Sequence, residues 1–332
     1  MSNRSRGGVT DDEHAGFGRP ARRTRPRTKD RPDYSAAAEA MVVTIDRGRY
    51  RCLRDGVSLT ATKARALGRK GVVVGDRVKV VGDLSGAEGS LARIVEVLPR
   101  STVLRRSADD NDPTERPIVA NADQLVIVTA LADPPPRMGM IDRILVAGYD
   151  AGLDPVLCLT KADLAPAQAL VAAYAPLEVP IVTVHPGADL TELRHLLDGR
   201  TSVLVGHSGV GKSTLVNALI PGVGRAIGEV NVVTGRGRHT STSALALRLP
   251  DDAGWVIDTP GVRSFGLNHV TAATILAAFP DLAELTEGCP RGCSHGTGAP
   301  ECALDEAVSE GTLARERLES FRRMEGAWLA GA

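Results

Sequence analysis

A chain of 332 residues with 40 basic and 40 acidic side chains holds material for two or three domains and has no net charge that would by itself draw it to nucleic acid or a membrane surface. It contains no apolar run of about eighteen residues, and its first residues are polar and arginine-rich, so neither a spanning helix nor a secretory leader is expected and a cytoplasmic protein without a membrane partner is. Of its five cysteines, three lie between residues 289 and 302 around a histidine, which in such a compartment reads as metal before disulfide.

Residues 1–38 carry glycine, proline, serine and charge with almost no large apolar side chain, so they cannot bury enough surface to offset ordering entropy and are expected to be disordered. Arg19, Arg22, Arg23, Arg25, Arg27, Lys29 and Arg31 make this arm basic, which suits RNA phosphates or a merely solubilising tail. From 39 to 100 the texture changes to short apolar runs at 41–45, 49–53, 72–74, 77–81 and 91–98, separated by Asp46-Arg47-Gly48, Asp55-Gly56 and Gly82-Asp83. About five short strands in this length predict a small all-β barrel, of oligonucleotide-binding (OB) type in the first instance. Arg47, Arg49, Arg51, Arg54, Lys63, Arg65, Arg69 and Lys70 make it basic, while Tyr50 is its only large aromatic, so contact with RNA phosphate and shape is expected rather than base stacking. A basic barrel that only packs on its neighbour is the alternative.

Residues 101–118 read as a connector with the acidic stretch Asp109-Asp110-Asn111-Asp112. An alternation of elements follows across 119–270: strands at 124–129, 155–159, 180–184 and 202–205, with helices at 140–148, 167–174 and 190–197 between them. That order predicts a mainly parallel α/β sheet covered on both faces, with ligands beyond the carboxyl ends of its strands.

The fourth of these strands runs into Gly206-His207-Ser208-Gly209-Val210-Gly211-Lys212-Ser213-Thr214, a phosphate-binding loop in strand-turn-helix context. Its glycines let consecutive N–H groups turn around an oxyanion at a helix N-terminus, Lys212 can reach the β- and γ-phosphates, and the Ser213 hydroxyl can ligate Mg²⁺. Farther on, a short strand at 255–257 ends in Asp258-Thr259-Pro260-Gly261, whose carboxylate can serve the Mg²⁺ shell and whose glycine N–H can approach a γ-phosphate. Thr160-Lys161-Ala162-Asp163, behind an earlier strand, supplies a base reader, because Asp163 can accept both the N1–H and the N2 amino group of guanine and Lys161 can lie along the base. The usual residue at position 160 is Asn, and Thr has a shorter reach, so a softer hold on the base is expected. The base reader precedes the phosphate loop, the reverse of the common order, so the guanine-nucleotide fold is circularly permuted.

With GHSGVGKST, GRGRHTST, DTPGVRSFGL and the Cys/Cys/His/Cys cluster in this order, residues 41–325 resemble the ribosome small-subunit-dependent GTPase A family. The resemblance implies an OB barrel, a permuted P-loop GTPase and a zinc-bearing helical region (271–332), an enzyme converting GTP to GDP and phosphate, and a partner in the 30S small ribosomal subunit and its 16S rRNA during late maturation. It implies no DNA partner, and a monomer is expected. Where other GTPases carry a water-positioning glutamine this chain has Val262, and the resemblance moves that role to His239, with Thr240, or failing it Ser241, meeting Mg²⁺. The base-supporting Ser-Ala pair of such proteins should fall at Thr183-Val184-His185-Pro186, where no match can be assigned. Cys289, Cys293, His295 and Cys302, spaced C-x3-C-x-H-x6-C, offer three thiolates and an imidazole, a closed tetrahedral set for one structural Zn²⁺. A helix at 312–328 follows, with Leu318, Phe321, Met324 and Trp328 as its packing face and Arg315, Arg317, Arg322 and Arg323 for RNA or solvent. Two rivals stand beside the GTPase reading: a non-catalytic, nucleotide-dependent RNA-binding or scaffold protein, and an ATP-using P-loop enzyme.

Overall fold

The protein's structure, a computed structural model, describes residues 33–68, 71–107, 115–222, 244–260, 267 and 270–329. Most of the N-terminal arm, Arg69, Lys70, the acidic stretch at 109–112, the loop with His239, Thr240 and Ser241, and Gly261 and Val262 lie outside the described residues.

Strands β1 (Ala38–Asp46), β2 (Arg49–Arg54), β3 (Val57–Lys63), β4 (Arg77–Gly82) and β5 (Ala92–Val97) run in the order β1-β2-β3-β5-β4, and β4 pairs back onto β1 to close a barrel. Alternation builds its interior, since Val42, Tyr50, Cys52, Leu59, Ala61, Val78, Val80 and Ile94 point inward while charged neighbours point out. The β2–β3 turn is Asp55-Gly56 with φ of 47° and 82°, the two positive values that a tight Asp-Gly hairpin requires. One expected strand is replaced by another. The run at 72–74 makes only a single bridge, Val74 to Val119, because the Val73 N–H is taken by the Asp76 carboxylate at 2.8 Å. Asp76 is fully buried and held by Arg100 at 2.7 and 2.8 Å, which diverts this backbone from the ladder. The fifth strand is β3, whose alternating Val57-Ser58-Leu59-Thr60-Ala61-Thr62 carries the period of a strand.

Within the stretch read as a connector, β6 (Val103–Ser107) and β7 (Glu115–Ala120) form a two-stranded antiparallel hairpin. Buried Leu104 and Val119 hold its base, and the Asn121 side chain links the Ser101 N–H and the Gly75 carbonyl, each at 2.9 Å.

The central part contains β8 (Gln124–Ala130), α1 (Met138–Asp150), β9 (Asp154–Thr160), α2 (Gln168–Tyr174), β10 (Ile181–Thr183), α3 (Thr191–Leu197), β11 (Arg200–Val205), α4 (Lys212–Leu219), β12 (Leu245–Arg248) and β13 (Gly254–Asp258). Neighbours in β10-β9-β8-β11-β13 are parallel and β12 closes the row antiparallel to β13. Every residue of β8 is buried: Leu125 and Ile127 enter one apolar cluster, Val126 and Val128 the other, as a strand covered on both faces demands. The β12 strand also pairs with β1 of the barrel, Leu245 opposite Thr44, so barrel and central sheet form one continuous sheet of eleven strands.

Four further helices follow, Ala272–Ala277, Pro280–Leu285, Ala303–Ser309 and Arg315–Leu329; the first and last pack on α1 and the middle two on them. Leu318, Phe321 and Met324 are buried as the spacing requires, and Phe321 meets Phe279 edge-on at 5.5 Å. Three of the helix's arginines are engaged internally rather than free for RNA. Arg317 pairs with Asp281 at 2.9 Å, Arg322 with Asp305 at 2.7 Å, and Arg323 with buried Asp142 of α1 at 3.1 Å. Among the described residues no helix is long and apolar enough to cross a membrane.

Candidate nucleotide site and cysteine-histidine cluster

The carboxyl ends of four adjacent parallel strands, β9, β8, β11 and β13, bring the sequence motifs to one edge of the sheet. The turn after β11 needs its glycines for two distinct reasons. A Cβ on Gly206 would sit 2.2 Å from the Val128 carbonyl oxygen of β8, a distance no side chain tolerates. Gly211 takes φ of 93° immediately before α4, so the chain can turn its N–H groups toward the helix axis. Val210 is buried beneath the turn, while Ser208, Gly209, Ser213 and Thr214 are exposed around it and His207 is half-buried.

Lys212 and Asp258 face one another across this turn. The Lys212 ammonium donates to the Thr259 carbonyl at 2.7 Å and lies 3.9 Å from the nearer Asp258 oxygen. That oxygen, Asp258 Oδ1, is buried and has no hydrogen-bond partner. A buried carboxylate oxygen without a donor is costly, so the arrangement is incomplete until a cation or donor approaches it. Burial pushes the Asp258 carboxyl above the usual carboxylate range, with Lys212 pulling it back, and burial pushes the Lys212 ammonium down, with Asp258 opposing. Both groups therefore gain when a polyphosphate and a divalent cation supply the missing charges, and the donor set fits Mg²⁺: one strand-end carboxylate beside the exposed hydroxyl of Ser213 at a helix start. Thr259, in a variable position of its motif, was not singled out by sequence, yet it is 1 % exposed and ties the motif to the phosphate-loop strand by donating to Leu204 O at 2.7 Å.

At the end of β9 the segment 160–163 lies against the same turn. The hydroxyl of buried Thr160 donates to Val210 O of the phosphate loop, with Thr129 O the alternative acceptor at 3.2 Å. The shorter side chain therefore reaches the phosphate loop through its hydroxyl. Lys161 adopts φ of 56° and its ammonium donates to Asp133 O, so its stem runs over the segment after β8. Asp163 is exposed beyond it, and the Ala162 N–H donates to Val184 O at 3.2 Å, which brings the loop after β10, with exposed His185, beside the reader. A Thr160→Val protein, which keeps the shape and leaves Val210 O unpaired, is expected to bind GDP about tenfold more weakly, read by titration with a fluorescent GDP analogue. Undiminished affinity would remove the bridge from the nucleotide's account.

The second assembly is in the C-terminal helices. One ligand atom from each of Cys289, Cys293, His295 and Cys302 lies within 4.8 Å of all the others. His295 Nδ1 is 3.5 Å from Cys289 Sγ and 3.9 Å from Cys302 Sγ. A tetrahedron with Zn–S of about 2.3 Å and Zn–N of about 2.1 Å has edges of about 3.6 Å, so four donors this close could hold one such ion, and four protein ligands would leave no open position. The backbone is shaped around them: His295 takes φ of 57°, its carbonyl accepts from Arg322 at 3.0 Å, and the Ala303 N–H donates to Cys289 Sγ at 3.3 Å. His239, Thr240 and Gly261 lie outside the described residues.

The chain matches the RsgA GTPase family over residues 97–268. A protein of Pseudomonas fluorescens Pf-5 named small ribosomal subunit biogenesis GTPase RsgA is 44 % identical over 238 residues, 69 % of this chain and 68 % of that protein. Its namesake in Pseudomonas aeruginosa LESB58 is 42 % identical over 240 residues, 70 % of this chain and 69 % of its own. Among solved structures, YjeQ from Thermotoga maritima superposes with a TM-score of 0.66 at 27 % identity, covering 88 % of this chain and 98 % of that one. YloQ, described as a circularly permuted GTPase, superposes with a TM-score of 0.64 over 91 % of this chain and 98 % of its own; at 22 % identity it speaks for the fold alone.

Proposed function

The chain belongs to the RsgA GTPase family and is a GTP hydrolase, and we propose that it spends GTP on the small ribosomal subunit, binding that particle and assisting its late maturation. The relatives carry that partner in their names; in this chain the observation that supports the nucleotide half of the reading is the buried Asp258 Oδ1, without a hydrogen bond and 3.9 Å from the Lys212 ammonium across the phosphate loop. A site so arranged is completed by a nucleoside triphosphate with its cation, and Thr160 and Asp163 at the same edge favour guanine.

In this reading Gly206 to Thr214 wrap the phosphates with backbone N–H groups at the start of α4. Lys212 leaves Thr259 O for the β- and γ-phosphates, Asp163 accepts the two guanine donors, and Lys161 covers the base. Ser213, Thr240 and Asp258 hold Mg²⁺, which when bound neutralises charge on the β- and γ-phosphates. The Gly261 N–H reaches toward the γ-phosphate, and His239 orients the attacking water because Val262 has no group to do so. Cys289, Cys293, His295 and Cys302 hold one Zn²⁺ that fixes the loop between helices without taking part in the reaction. Exposed Arg47, Arg49 and Arg65 of the barrel, with the basic arm before it, meet phosphates of 16S rRNA. The protein works as a cytoplasmic monomer. Phosphate release from GTP, measured with and without small subunits, is the test.

A further inference from the structure

The barrel strand β1 serves two sheets in turn. Its residues 38–41 pair with β4 to close the barrel, a bulge falls between Val42 and Thr44, and at Thr44 the same strand pairs with Leu245 of β12. Bulges re-aim a strand, and this one, in the ladder with β2, falls where the opposite edge of β1 passes from β4 to β12. The Thr44 side chain is 9 % exposed and its hydroxyl lies 3.4 Å from Ala244 O, the carbonyl just before β12. Leu245, opposite Thr44 on one side, is opposite Asp258 on the other, and Asp258 in turn is opposite Leu204 of β11. One row of cross-strand partners, Thr44, Leu245, Asp258 and Leu204, thus runs from the barrel to the strand that feeds the phosphate loop. Two strand spacings, about 10 Å, separate Thr44 from the carboxylate-bearing residue. Thr44–Leu245 is the one register pair between β1 and β12 among the described residues, and it falls on the row of Asp258.

We propose that the Thr44–Leu245 pair is the joint through which the barrel sets the position of Asp258, with Leu245 and Thr44 acting as positioning residues for the magnesium-side carboxylate. β13 is held on one edge by β11 and on the other by β12, and the far edge of β12 is held by the barrel. A partner that displaces the barrel therefore moves the strand directly beside Asp258, and its Oδ1, which has no hydrogen bond of its own to anchor it, follows the backbone. The inference rests on the reading of Asp258 as the magnesium-side carboxylate.

The experiment measures the magnesium midpoint of GTP turnover without subunits for the wild type, Thr44→Gly, and Thr62→Gly as a barrel control off this row, since Thr62 is opposite Arg49 and Arg49 opposite Asp46. A glycine weakens a strand at either place. Thr44→Gly is expected to raise the midpoint about fivefold, with magnesium-free GDP affinity changed by less than about twofold, while Thr62→Gly leaves the midpoint in place. Equal behaviour of the two variants, shifted or not, overturns the proposal. Should Thr44→Gly fail to fold, the full chain with Thr44→Cys and Leu245→Cys decides it, since directly opposed strand residues lie within disulfide range. The bond is formed at saturating zinc with zinc retention measured. The locked joint is expected to keep basal turnover and lose subunit stimulation, and reductant is expected to restore it; full stimulation in the locked protein overturns the proposal. The reading it rests on fails separately, if Asp258→Asn leaves the magnesium midpoint where it was.

Discussion

An Asp163→Asn protein is expected to lose about a thousandfold in affinity for GTP and to gain affinity for xanthosine triphosphate. Guanine offers two donors, N1–H and the N2 amino group, and a carboxylate accepts both. The Asn amide offers one acceptor and one donor, so one guanine donor is left facing an N–H and goes unpaired in a closed site. Xanthine has an oxygen where guanine has the amino group, and that oxygen accepts from the new amide. The rest of the pocket stays as it is: Thr160 still reaches Val210 O, and Lys161 still lies over the segment after β8. Competition binding with GTP, xanthosine triphosphate and ATP reads the result. An ATP-using enzyme would show no exchange of preference between guanine and xanthine, and that outcome would return the adenine alternative to the field.

The second large effect concerns the metal. Replacing Cys302 by Ala is expected to remove stoichiometric zinc and to open the C-terminal helices to protease, while GDP binding stays within about threefold of wild type. Cys302 is 3 % exposed, caps the helix Ala303–Ser309, and stands beside Leu304, Ala307 and Phe321 in the apolar cluster. Apparent zinc binding energies of about 10–16 kcal/mol in small metal-folded domains exceed what the short helices here can supply alone. The long helix Arg315–Leu329 has other anchors, through Arg323 to Asp142 and Arg317 to Asp281, so cleavage should concentrate between residues 286 and 302. Metal analysis and limited proteolysis report it, and a Cys302→Ala protein that keeps its zinc and its protection would dissolve the assignment.

What could be read in the sequence was carried by residues whose chemistry is local. The phosphate loop, the base reader and the Cys/His cluster each announce themselves within a few residues, and their order exposed the permutation. Long-range pairing left no such mark. Thr44 and Leu245 are 201 positions apart, and β12 is only four residues long, too short for a period to show. The run 72–74 has the composition of a strand, yet an Asp76 carboxylate pinned by Arg100 claims its N–H, a competition that only three dimensions reveal. The strand β3 carries the alternation of a strand, but its outward residues are Ser and Thr rather than charges, which weakens the contrast between its faces. Thr160 belongs with the long-range pairings: its hydroxyl finds Val210 O, 50 positions away, and no local pattern announces that bond.

The central claim is that hydrolysis belongs to this chain and answers to the small ribosomal subunit. Phosphate release from GTP by purified protein, alone and with purified small subunits, tests it most directly, with Lys212→Ala and His239→Ala measured in parallel. The account predicts slow basal turnover that rises at least about tenfold with subunits, no turnover above background for Lys212→Ala in either condition, and a stimulated component missing from His239→Ala. Turnover that subunits leave unchanged, or that Lys212→Ala shares, would contradict it.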